Sequence, residues 1–162
     1  MRDQKLEVVG KHAIDKKTTF RGRRRGRKLR PKLDKLFREN LHTFLIDEGL
    51  ESEKIDLNTL FSVKPKEIWL EIGFGGGEHL AWQAKLHPQI GFLGFEPYIN
   101  GVASLVRYLI SEKLSNVRIF PDDIKPFLTK IPNGCISKIF ILFPDPWPKS
   151  RHAKRRIIQN QT

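Results

Sequence analysis

The sequence predicts an α/β fold: an incomplete parallel sheet of about four strands, wound with helices and preceded by a basic arm and one helix. Three observations lead there. Short apolar runs at 68–72, 91–95, 117–120 and 136–143 alternate with helix-length segments at about 78–87, 99–114 and 124–130. Strands that alternate with helices imply βαβ units and hence a parallel sheet. Each run also closes on acid, at Glu71, Glu96, Asp122-Asp123 and Asp145. Ligands of open α/β sheets bind beyond the carboxyl ends of the strands, so four acidic strand ends in a row point to a site. The third observation is a glycine-rich joint, 73–77, between the first strand and the helix after it.

The elements follow in order. Residues 1–30 form a polar, basic arm in which seven of the ten residues from 21 to 30 are Arg or Lys. Such a segment is expected to be mobile until it meets a partner. Pro31 suits the first turn of a helix. Leu33, Leu36, Phe37, Leu41, Phe44 and Leu45 then recur at three- and four-residue steps, so one face can dock on a body, and Gly49 is expected to end the helix. An irregular connection fills 50–66. The chain thus divides into an arm (1–30), a docking helix with its connection (31–65) and a partial ligand-binding domain (66–162).

Charge is distributed unevenly. The 162 residues carry a net charge of +12. Residues 1–40 hold 15 Lys/Arg against 5 Asp/Glu, and residues 145–162 hold 5 against 1, which leaves a near-neutral body between two basic flanks. That is the electrostatic footprint of a polyanion binder. The single cysteine, Cys135, excludes an internal disulfide and reads as small core filler in a reducing, cytoplasmic setting. No signal peptide and no run long enough to span a membrane is read, and five scattered histidines give no metal-ligand spacing.

The joint reads Glu71-Ile72-Gly73-Phe74-Gly75-Gly76-Gly77-Glu78. Glycines allow a tight turn and let a ligand lie on bare backbone. A dinucleotide fingerprint wants a third glycine where this chain has Glu78, and a glutamate there would repel a pyrophosphate. A cationic ligand such as S-adenosylmethionine meets no such repulsion. Glu96, 19 residues past Gly77, ends the second strand where an acid accepts from both ribose hydroxyls, and Asp122 is placed to meet the adenine amine.

The most telling stretch is 140–156, where an apolar strand runs into Phe143-Pro144-Asp145-Pro146-Trp147-Pro148 and then a dense basic segment. Prolines at alternate positions fix φ and remove backbone donors, so the turn can neither continue a sheet nor start a helix. A rigid turn at a strand end holds Asp145 in one place.

By these residues the chain resembles the bacterial tRNA (guanine-N7)-methyltransferase family, class I S-adenosylmethionine-dependent methyltransferases of Rossmann-like fold. The resemblance rests on Leu70-Glu71-Ile72-Gly73-Phe74-Gly75-Gly76-Gly77, on Gly94-Phe95-Glu96, on Asp122, and on Phe143-Pro144-Asp145-Pro146-Trp147-Pro148-Lys149 with Arg151-His152-x-Lys154-Arg155-Arg156. It covers roughly 66–158, and more loosely the arm and helix before, so 1–30 is expected to be an RNA-binding arm and 66–162 a partial S-adenosylmethionine-binding methyltransferase domain. It implies that Glu71, Glu96, Asp122 and Asp145 contact the methyl donor over the loop of Gly73, Gly75 and Gly77. It implies Asp145 as the catalytic residue, Lys149 as a substrate contact, and Arg151, His152, Lys154, Arg155 and Arg156 as contacts to tRNA. Asp122 takes the family position, rather than Asp123, by its spacing to Ile131-Pro132.

The family also continues past the fourth strand, so the chain is expected to be C-terminally truncated, with that strand as an exposed edge. A second copy or a complementing chain would then cover it. The alternatives that stay open are a remnant that binds RNA without catalysis, and a different nucleic-acid methyltransferase.

Overall fold

The computed structural model describes residues 22–46 and 53–142, and beyond them 144, 148, 151, 156 and 157. The elements run α1 (Pro31–Phe44), β1 (Glu67–Ile72), α2 (Glu78–Leu86), β2 (Ile90–Phe95), α3 (Ile99–Ser111), β3 (Val117–Phe120), α4 (Lys125–Leu128) and β4 (Lys138–Ile141). The four strands form one parallel sheet in the order β3-β2-β1-β4. The chain steps outward from β1 to β3, then returns to the other side of β1. Strand order reverses there, and the carboxyl ends at such a switch point form a crevice.

Both faces of the sheet are covered, as a parallel sheet requires. Alternation with period two sorts the strand residues between them. Trp69, Ile90, Phe92, Val117 and Ile119 pack with α1, α2 and α3, around Phe37, Leu80, Leu105 and Val106. Ile68, Leu70, Leu93, Phe95 and Phe120 pack on the opposite face with Ile55, Leu57, Phe61 and Phe127. The connection before β1, expected to be irregular, therefore supplies a layer of core. Gly91 of β2 leaves room for it, since a Cβ there would lie 2.8 Å from Phe61; on the other face Gly94 leaves room for α2, where a Cβ would lie 2.6 Å from Leu80.

Two expectations need correction. α1 ends at Phe44, not near Gly49, which lies outside the described residues. Leu45 turns extended and bridges to Ile119, and the Ile46 N–H donates to the Ile119 carbonyl at 2.9 Å. Pairing with the free edge of β3 satisfies that backbone and buries Ile46, which another helical turn would not do. The fourth strand is also shorter than 136–143. Residues 22–30 of the arm lie against the body through specific polar contacts; residues 1–21 lie outside the described residues.

β4 is an edge strand and pairs only with β1 among the described residues. Phe140 packs against Trp69 and His79, and Lys138 Nζ lies 3.6 Å from the Trp69 ring centroid. Ile139 and Leu142 are exposed.

Candidate functional site

The described residues bury three charged side chains: Glu71, Glu96 and Asp122. They stand at the carboxyl ends of β1, β2 and β3, three adjacent parallel strands. Burying three carboxylates side by side is costly unless each is held by donors. Each is.

Glu96 is held by backbone. Its Oε2 accepts from the Gly75 N–H and its Oε1 from the Tyr98 N–H, both at 2.8 Å. The glycine loop is therefore folded onto the end of β2. Gly73, Gly75 and Gly77 all have positive φ, at 71°, 56° and 82°. Gly77 caps α2 and touches α3, where a Cβ would lie 2.6 Å from the Leu105 Cβ. Above Gly73 and Gly75 a Cβ would meet nothing within 4 Å. These two residues present bare backbone to open space. Gly101, early in α3, makes the fit possible, since a Cβ there would lie 2.1 Å from the Gly75 carbonyl oxygen.

Glu71 is held by a side chain. Its Oε2 lies 2.8 Å from His79 Nδ1, on the first turn of α2. An ionised carboxylate there holds the imidazole proton on Nδ1. His79 Nε2 can then accept from the Gln83 amide, 3.3 Å away. Burial pushes the Glu71 carboxyl above its ordinary value, and His79 opposes that rise.

Asp122 is held by the arm. Arg24 Nη1 lies 3.0 Å from Oδ1 and 3.1 Å from Oδ2, and Nη2 donates to the Pro121 carbonyl at 3.3 Å. Further contacts pin the arm to the start of α3. The Ile99 N–H donates to the Arg24 carbonyl, the Gly26 N–H to Asn100 Oδ1, and Asn100 Nδ2 to the Arg27 carbonyl.

Asp122 is buried while its neighbour Asp123 is half-buried and accepts from the Lys125 N–H. Glu78 is exposed, with its carboxylate beside Gly76 at the N-terminus of α2. Arg151 and Arg156 are exposed. Asp145, Trp147, Lys149, His152, Lys154 and Arg155 lie outside the described residues. Cys135 donates to the Pro132 carbonyl, and burial raises its pKa, so it is a poor thiolate.

Sequence reasoning missed three participants. Arg24 was counted as one more cation in a run, and nothing in a run singles out the one that finds a carboxylate. His79 lies one helical turn past a glycine loop, on the face that meets β1. Gly101 had a readable signal, a glycine inside an otherwise apolar helix, which marks a close backbone approach.

Comparison with known proteins agrees with this arrangement. A family model described as "Putative methyltransferase" matches residues 65–162. A protein of Paramagnetospirillum magneticum named tRNA (guanine-N(7)-)-methyltransferase is 41% identical over 160 residues, covering 95% of this chain and 67% of that protein. Proteins of the same name from Rhodospirillum rubrum and Hyphomonas neptunium are 43% and 44% identical, covering 86% and 85% of this chain and 56% and 62% of their own lengths. The chain thus spans roughly three fifths of the length of the curated relatives it matches. With three buried acids ringing a glycine loop at the switch point of a parallel sheet, and with these matches along most of its length, the chain belongs to this methyltransferase family.

Proposed function

We propose that the chain transfers a methyl group from S-adenosylmethionine to N7 of a guanine in tRNA. The observation that carries this reading is the trio of buried carboxylates at consecutive strand ends. A nucleotide phosphate would meet Glu71, Glu96 and Glu78 around the glycine loop and be repelled. A donor bearing a sulfonium and an ammonium is attracted by the same field.

The residues fit that donor. Gly73 and Gly75 leave backbone open for it. Glu96, fixed at the end of β2 by the Gly75 and Tyr98 amides, would face two ribose hydroxyls of the donor. Asp122 has capacity on Oδ2, which among the described residues accepts only from Arg24, for an adenine amine.

When bound, the donor supplies an electrophilic methyl on a positively charged sulfur. Guanine N7 offers an in-plane lone pair and has no proton to lose, so the chain's task is orientation rather than proton abstraction. Asp145, which the sequence sets between two prolines, would position the guanine edge and stabilise the positive charge that develops on the ring. Lys149 would touch the substrate, and Arg151, His152, Lys154, Arg155 and Arg156 would hold the RNA. Work on tRNA would be done in the cytoplasm, and the exposed β4 edge is where a second copy or a complementing chain would support the base pocket.

Two lines support the substrate: the names of the relatives and the basic flanks of the sequence. The test is incorporation of a tritiated methyl group from S-adenosylmethionine into unmodified tRNA. Label recovered as N7-methylguanosine supports the reading; label recovered in an amino-methylated base would favour a different nucleic-acid methyltransferase.

A further inference from the structure

We infer that the groove between residues 27–30, α1 and α3 seats the phosphodiester backbone of the RNA substrate, as a second RNA contact separate from residues 151–156. The inference rests on the tRNA reading above.

The groove encloses about 620 Å³ and is lined by Arg27, Lys28, Arg30, Lys32 and Arg107. Among the described residues no carboxylate lines it. All five cations are exposed, and none of them pairs with an acid among the described residues. Elsewhere on α1 the cations are matched: Arg38 pairs with Asp34, and Lys35 with Glu39. On α1, among the described residues, the unmatched Lys/Arg charge thus lies on the groove side. Five like charges in one groove repel each other, and a polyanion relieves that repulsion.

Leu29, Leu33 and Leu36 form an apolar floor on which the long basic stems can lie with their heads outward. Asn100, Ser104 and Arg107 recur at helical spacing and present one face of α3 to it. The arm's backbone is already fixed, because Asn100 bonds both Gly26 and Arg27. Gly26 packs closely under the Tyr98 hydroxyl there, so a larger side chain would have to displace Tyr98. A pre-positioned row of cations loses less freedom on binding than a mobile tail. An extended phosphate backbone matches a long, open, basic groove; a small anion would use a fraction of it.

The test is tRNA binding by the full chain across a range of salt concentrations. Lys32→Gln combined with Arg107→Gln removes one cation from each wall. Lys64→Gln combined with Lys66→Gln, on the exposed segment before β1, removes the same charge outside the groove. If each groove cation neutralises one phosphate, the groove variant loses about 1.4–1.8 from the log–log salt slope and about tenfold or more in affinity. The control variant and the affinity for S-adenosylmethionine stay as in the wild type, the latter showing that the fold is intact. An unchanged slope in the groove variant overturns the inference. So does an equal loss in the control, which would make the effect one of net charge. Absence of methyl transfer with the groove effect intact would count against the enzymatic reading and leave the groove standing.

Discussion

Arg24 and Asp122, 98 residues apart in the chain, meet at 3.0 Å across the end of β3. One guanidinium nitrogen bridges both carboxylate oxygens, and the other donates to the Pro121 carbonyl. The basic arm is therefore fastened to the carboxylate that the family resemblance gives to the donor's adenine. Arm docking and the proposed donor contact fall on one acid.

Arg24→Ala leaves Asp122 buried with fewer donors. It should cost about 1–3 kcal/mol in urea unfolding, toward the low end because the Arg24 side chain is 30% exposed. It should also speed tryptic cutting within 22–30. Arg24→Lys keeps the charge but cannot serve both Asp122 and Pro121, so it should recover only part. Wild-type stability and cutting rate in Arg24→Ala would show the contact to be incidental.

Glu96→Ala removes the acceptor of the Gly75 and Tyr98 amides and the proposed ribose contact. Charge-assisted bonds are worth about 1.5–3 kcal/mol each, so donor affinity should fall at least about tenfold in calorimetry. Equal affinities, or tighter binding of NAD than of S-adenosylmethionine by the wild type, would contradict the donor assignment.

Gly73→Ala and Gly101→Ala should separate binding from folding. At Gly73 a methyl meets open space and costs only the strain of positive φ, roughly 1–2 kcal/mol, but it occupies the bare backbone where the donor would lie. At Gly101 it runs into the Gly75 backbone, and overpacking of about 1–3 kcal/mol or more should appear as lost stability together with a displaced loop. Gly73→Ala should therefore lose more donor affinity per unit of stability lost. The reverse order would rule out a donor over Gly73.

The pH dependence of stability should carry the mark of Glu71. Its folded pKa is raised above 4.5, chiefly by burial, with His79 opposing. The protonated form is thus the one the fold favours. Glu71 is most favourable to folding below its unfolded pKa, and that contribution is lost as pH rises through the folded value. Glu71→Gln removes the loss. Its melting temperature should gain on the wild type as pH rises above about 4.5, while its donor affinity falls. A gap between the two that does not change with pH would show that Glu71 is not desolvated in solution.

Much of this was legible in the sequence, for physical reasons that differ by element. β1, β2 and β3 were legible because strands buried on both faces read as continuous apolar runs ending at acid. Glu71 and Glu96 were legible because a glycine loop fixes the spacing to the next strand end. The end of α1 was not. Leu45 continues the helical period, but its backbone goes to Ile119, a tertiary contact that no local signal carries. The docking of residues 22–30 was hidden for a similar reason. A composition that is mobile in isolation is held here by Asn100 and Asp122, each more than 70 residues away.

The central claim is methyl transfer to guanine N7, and mapping the product tests it most directly. The chain is incubated with unmodified tRNA and labelled S-adenosylmethionine, the RNA is cleaved at N7-methylguanine, and Asp145→Ala is run in parallel. The account predicts cleavage at a defined guanine that depends on the donor and disappears in Asp145→Ala. Absence of cleavage and of label, in a sample shown to bind both tRNA and S-adenosylmethionine, would contradict it and leave a protein that binds RNA without modifying it.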